Sequence, residues 1–349
     1  MLTVHRRKLI CGALTLCLPA ARARAAHAGT AAGLDARTTT GTAQFSIPRP
    51  GAAQTNPVRI ALVQTTESSQ YFNEITRGVR SRCDQLGYTL SVFDADNSPV
   101  AQSDAIENYA EQNVSAILLC AIDVYGVRDA ISTAARSGVP VIAIDAIVTG
   151  KTIAQIGVDN ISTAARLLDA LLQPGHTPPA SIGIVGATSS YIQTLRCNGF
   201  LDAMKKQAPS LHVAGFVDGQ NILDSAQTAA EDLLAAAPEL DLIYATGEPA
   251  MIGALSALQT SPPRKPVHLA GWDMSPEIAR GLRNGTVLAT AVQDTVGMGE
   301  AAVNAARDWL TNTPAPHDIT VPATIVTPRT LVASVTPTDR IRTTMIRQP

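Results

Sequence analysis

The sequence predicts an α/β fold of two similar lobes, each a parallel sheet flanked by helices. Two observations set the class: β-type runs alternate with helix-length segments from about residue 57 onward, and the whole series then repeats. A third ties the halves together, since Pro140-Val141 ahead of Asp145 is echoed by Pro266-Val267 ahead of Asp273.

Taken in order, VRIALVQ reads as a strand, 71–86 as a helix, YTLSVFDA as a strand, 100–112 as a helix, SAILLCA as a strand, 125–137 as a helix and VPVIAID as a strand. The second half runs SIGIVGA, a helix through 191–207, HVAGFVDG, a helix over 223–236, DLIYAT, a helix over 249–258 and KPVHLAGWD. Strands this apolar need cover on both faces, which flanking helices supply. The first helix of each half holds a glycine followed by an apolar residue, Gly78-Val79 and Gly199-Phe200. In open parallel sheets ligands sit beyond the carboxyl ends of the strands. Two such lobes facing one another would set Asp145 and Asp273 on opposite walls of a cleft. A buried lone carboxylate is costly, so each should meet the donors of a polar guest or a neighbouring cation.

Ahead of the folded part, HRRKLICGALTLCLPAARARAAHA joins a basic start, an apolar run and small-residue sites, so residues 1–28 read as an export signal. Arg6-Arg7 followed by Lys8 and Leu9-Ile10 resembles a twin-arginine signal; the alternative is an ordinary secretory signal, with His5 where Ser or Thr is usual. Cys17 follows Leu16 rather than a small residue, which argues against a lipid anchor. Residues 29–56, rich in Gly, Ala and Thr, read as a flexible leader. A free, exported periplasmic protein is expected.

Composition narrows the partners. The 349 residues are 46% hydrophobic and 4% aromatic, enough chain for two lobes. Residues 1–28 hold five basic side chains and no acid, so without them the formal charge moves from −2 to −7. A mildly acidic protein without a basic patch is a poor candidate for nucleic acid or anionic lipid. Cys83, Cys120 and Cys197 remain; their wide spacing makes neither a metal site nor a disulfide framework, and one disulfide is the alternative to three buried thiols, the expected state.

At this point the residues resemble a family. The order and spacing of IALV…YF (60–72), LGY (86–88), PVIAID (140–145), GVDN (157–160), R-x-x-G-F (196–200), GAL (253–255), GWD (271–273) and ATAVQD (289–294) are similar to the type I periplasmic binding proteins of sugar importers, in particular the ribose-binding branch. The resemblance spans roughly 57–335 and implies two lobes joined by a three-segment hinge. The first would be 57–159 plus 294–322, and the second 160–293 plus 323–349. Consistent with this, a helix (295–310) follows NGTVLATAVQD, and the β-rich segment ATIVTPRTLVAS can return to the second lobe.

Carried over position by position, the resemblance places Thr65 where ribose binders have serine, Ser69 where they have asparagine, and Tyr71-Phe72 where they have two phenylalanines. Aromatic rings would cover the apolar faces of a sugar while polar side chains read its hydroxyls. Asp145 would accept from those hydroxyls, and the second lobe would add Arg196, Asn221 in an aromatic slot, Asp273, and Gln293 at the hinge crossing. Each has a plainer alternative: core for Tyr71 and Phe72, helix caps for Thr65 and Ser69, a solvated surface charge for Arg196. Trp272 reads as core. Two departures stand out: Ala146 replaces an arginine and Gly247 an asparagine, so the pocket should be roomier, poorer in donors, and not suited to ribose.

The resemblance implies a monomeric binding module that closes on a small polyhydroxylated ligand and hands it to the permease of an ABC importer. A ligand-sensing subunit that signals to a receptor kinase is the alternative. An enzyme is not expected: His176, His212, His268 and His317 are scattered, and there is no G-x-S-x-G, P-loop or Cys–His signature, so neither cofactor nor metal is called for. Repressors of the same fold need an N-terminal helix-turn-helix, a place held here by the signal and leader.

Overall fold

A computed structural model of the protein describes residues 57–173 and 178–333. The expected signal and leader, His176, and the chain after 333 lie outside the described residues.

The first half forms β1 (Arg59–Gln64), α1 (Gln70–Leu86), β2 (Thr89–Asp94), α2 (Pro99–Glu111), β3 (Ala116–Leu119), α3 (Arg128–Arg136), β4 (Val141–Ile144) and β5 (Ala154–Gly157). The second forms α4 (Asn160–Leu172), β6 (Ser181–Gly186), α5 (Tyr191–Gln207), β7 (His212–Asp218), α6 (Leu223–Ala236), β8 (Leu242–Ala245), α7 (Glu248–Thr260), β9 (His268–Trp272), α8 (Pro276–Asn284) and β10 (Val287–Gln293). The chain closes with α9 (Thr295–Leu310), β11 (Asp318–Thr320), β12 (Ala323–Val326) and α10 (Pro328–Ala333). Two sheets result, ordered β11-β5-β4-β3-β1-β2 and β12-β10-β9-β8-β6-β7. All pairings are parallel except that of β12 with β10.

The two sheets share one plan. Five strands of each follow the same order, and the sixth is supplied by the last stretch of chain, β11 to the first and β12 to the second. Central strands such as AILL, VIAI and LIYA are buried along their whole length. Each is sealed on one face by one helix layer and on the other by the next, giving two apolar cores per sheet.

Several elements escaped the sequence reading. Neither α4 nor α8 was expected, nor were β5 and β11, whose segments TIAQIG and DIT are short and only half apolar. The last segment, read as β-rich, is a strand only over 323–326; Pro328 then opens α10, since proline suits a helix start and cannot donate to a ladder.

The echoed glycines have a steric cause. A Cβ on Gly78 would stand 2.1 Å from the carbonyl oxygen of Val296, and one on Gly199 would stand 2.7 Å from that of Ile161. Val296 and Ile161 are each the second residue of a helix capped by an aspartate, Asp294 on α9 and Asp159 on α4. Both helices start where the chain passes from one sheet to the other, so the glycines let α1 and α5 press onto the crossing points. Cys83, Cys120 and Cys197 are free and buried. No helix among the described residues is long and apolar enough to cross a membrane.

Candidate functional site

Asp145 and Asp273 are the residues next after β4 and β9, and both leave their strands in the left-handed region, with φ of 70° and 72°. Aspartate tolerates that conformation better than most side chains. The backbone holds both turns alike: Asp145 N–H donates to Ile156 O at 2.7 Å, and Asp273 N–H to Ala291 O at 2.8 Å. Matched strands thus deliver two carboxylates at matched places.

The second-lobe wall is built around Arg196, which is 4% exposed rather than solvated. Its guanidinium lies 4.0 Å above the Trp272 ring. Nε donates to Asn160 Oδ1 at 2.9 Å, Nη1 to Thr246 O at 3.1 Å, and Nη1 lies 3.7 Å from Asp273 Oδ2. Trp272 is core, as expected, and also the platform for this cation; its Nε1 donates to Tyr244 Oη, which donates to Arg196 O. Gln293, the last residue of β10, donates from Nε2 to Asp273 Oδ1 at 2.6 Å. Burial raises the Asp273 carboxyl above its ordinary range, against the lowering pull of Arg196 and Gln293.

The first-lobe wall meets it through Tyr71. Its hydroxyl donates to Asp145 Oδ1 at 2.8 Å and lies 3.3 Å from Gln293 Oε1. Burial, then the charge of Asp145, push the Tyr71 phenol well above its usual value; burial also raises Asp145, with Arg196 opposing. Ser69, at the N-cap position of α1, makes no capping bond; its hydroxyl crosses to Glu248 Oε2 at 3.2 Å. Burial, then the charge of Asp273, push Glu248 up to about 7. A cavity of about 200 Å³ lies among Tyr71, Glu74, Glu248, Asp273 and Gln293.

Tyr71, Asp145, Arg196, Asp273, Gln293 and Ser69 therefore fall into one network. Three expected residues stand apart. Thr65 is buried with its hydroxyl donating to Cys120 O. Phe72 is half-buried, edge-on to Tyr71 and against the first core. Asn221 is exposed, left-handed at φ 57°, and accepts from Gln193 Nε2 at 2.7 Å.

Gln193 and Glu248 were missed. Gln193 is buried, lies one turn before Arg196 on the same helix face, and accepts from Thr246 Oγ1 at 2.6 Å. It also corrects the expectation of open space at Gly247: a Cβ there would stand 3.0 Å from Gln193 Nε2, so the amide fills that place. Glu248 follows Gly247 at the start of α7, beyond the carboxyl end of β8, where strand-end logic could have found it.

Fold and site together define a two-lobed protein whose facing sheets bring strand-end carboxylates into a shared cleft. Residues 60–314 match the family model described as "Periplasmic binding protein domain", and the chain belongs to that family, one of solute-binding proteins rather than enzymes. The ribose import binding protein RbsB of Escherichia coli (strain K12) is 26% identical over 246 residues, covering 68% of this chain and 80% of its own. That of Bacillus subtilis (strain 168) is 25% identical, covering 72% and 81%. Among solved structures, a solute-binding protein from Agrobacterium vitis with bound D-fucose matches with a TM-score of 0.70 at 23% identity, over 77% of this chain and 95% of that one. One from Agrobacterium radiobacter in complex with D-arabinose gives 0.71 at 20%, over 78% and 95%. These likenesses show the fold.

Proposed function

We propose that this chain is an exported binding protein that captures a small polyhydroxylated ligand between its lobes and delivers it to an ABC importer. The observation that carries the reading is the matched pair of strand-end aspartates, bridged through Tyr71 and Gln293. Residues 57–159 with 294–322 would move as one lobe and 160–293 with 323–349 as the other, closing by hinge motion about the crossings near Asn160, Asp294 and Pro322. The ribose import relatives support a sugar-like guest and a permease partner.

Asp145, Asp273 and Arg196 would read hydroxyls, with charge-assisted bonds of about 1.5–3 kcal/mol each, and Tyr71 and Phe72 would cover a ring face. The guest is a sugar, cyclitol or polyol other than ribose, because Ala146 supplies no donor where the ribose binders have an arginine. A thermal-shift screen over sugars, cyclitols and polyols tests this. A ligand at ~100 times its Kd adds about 2.7 kcal/mol of stability, and no shift with any of them would refute the reading.

A further inference from the structure

The cavity of about 200 Å³ between the lobes is lined by Glu74, Glu248 and Asp273 together with Gln70, Tyr71 and Gln293, and among the described residues by no basic side chain. Two of its lining donors already serve carboxylates, Tyr71 Oη to Asp145 and Gln293 Nε2 to Asp273, while the Gln70 amide and the Thr295 hydroxyl stay open to a guest; beside it, Ser69 Oγ donates to Glu248. Two guanidiniums stand near: Arg196 donates to Asn160 and the Thr246 carbonyl, lies over the Trp272 ring and pairs with Asp273 at 3.7 Å, and Arg77 pairs with Glu74. Glu248 alone of the three lining carboxylates has no cationic partner among the described residues, and beyond the Ser69 hydroxyl its acceptor capacity is open. A sugar hydroxyl both donates and accepts and is served best by mixed surroundings. A primary ammonium offers three donors, accepts nothing, and neutralises the Glu248 charge.

Within the reading of this cleft as a sugar site, on which the inference rests, we propose that the guest carries a protonated primary amine and that Glu248, with Asp273, selects it. An amino sugar or aminocyclitol is preferred to its neutral parent. The charge balance supports this choice. Burial, then Asp273, then Glu277 on α8 hold the Glu248 carboxyl up at about 7, the cost of gathering like charges in a half-closed space. Glu74, itself paired with Arg77, and Tyr71 face the same cavity from α1, and Asp145 stands behind Tyr71. A guest cation offsets that cost and holds Glu248 ionised, so affinity should fall by up to about tenfold per pH unit once the pH drops below the Glu248 pKa. The competing role for Glu248 is a carboxylate beside the N-terminus of α7, which favours negative charge without any guest. That role would affect stability and leave selectivity alone.

Isothermal calorimetry near neutral pH separates these outcomes, with 6-amino-6-deoxy-D-glucose, 6-amino-6-deoxy-D-galactose and a monoamino-inositol compared with D-glucose, D-galactose and myo-inositol. At least one amine should bind about tenfold or more tightly than its parent. That advantage should shrink at lower pH in the unmodified protein, and Glu248→Gln should abolish it by lowering the amine's affinity at least tenfold more than the parent's. If neutral parents match or exceed their amines, or Glu248→Gln keeps the advantage, the inference fails while sugar capture stands. If neither series binds, both fail. The pH series on the unmodified chain decides the matter even where the variant does not fold.

Discussion

Replacing Arg196 by methionine keeps most of its stem and removes its charge. The change strips Asn160 Oδ1 and the Thr246 carbonyl of donors at 2.9 and 3.1 Å, uncovers the Trp272 face, and leaves Asp273 with Gln293 as its side-chain partner. Asp273 is 8% exposed, so the lost cation leaves a buried charge poorly compensated, at a cost of about 3–5 kcal/mol. The pH dependence has a definite sign. Burial already raises the folded pKa of Asp273 above its unfolded value, and Arg196 is the largest force holding it down. Without Arg196 the folded pKa climbs further, so the native state prefers the protonated acid. That contribution to stability is fully present below the unfolded pKa of about 3.9 and is lost as pH rises through the new folded value. Urea unfolding near pH 5 and near pH 7.5, at unchanged slope, should show a larger loss at the higher pH. Adding Asp273→Asn should recover much of the loss, because the unpaired charge is gone. A deficit below about 1 kcal/mol, or one equal at both pH values with no rescue by the second change, would refute the reasoning.

Other outcomes follow from the same geometry. Tyr71→Phe removes the donor to Asp145 and the contact to Gln293, and should cost about 1–2 kcal/mol of stability while raising the Asp145 pKa, read by denaturation and by carboxyl NMR titration. Calorimetry with the ligand found by screening should show Asp145→Ala losing about 1–3 kcal/mol of binding and Phe72→Ala less, since Phe72 packs chiefly on the first core. Ribose should bind weakly; sub-micromolar affinity in a direct titration would show that Ala146 had been misread. Gly78→Ala places a methyl against the Val296 carbonyl and should destabilise by about 1–3 kcal/mol or more in thermal unfolding, whereas Gly247→Asn needs only the flexible Gln193 amide to shift.

The alternation of apolar runs with helix-length segments made two parallel lobes legible in the sequence, because burial on both faces forces near-continuous hydrophobicity in the central strands. The repeat of Pro-Val ahead of an aspartate marked both strand ends, and Gly78 and Gly199 marked both helix contacts, since local backbone geometry and close approach leave direct traces in residue type. Tertiary structure alone decided the rest. β5 and β11 are strands by pairing with neighbours rather than by their own pattern, and chain exchange between sheets sends β12 where no local rule directs it. Whether Arg196 is a solvated charge or a buried one depends on Trp272, 76 positions away, and the partner that Glu248 meets, Ser69, arrives from the other lobe. Propensity and periodicity act over a few residues, while desolvation and charge pairing act between whichever groups the fold brings together, so the site's chemistry was settled by contacts distant in sequence.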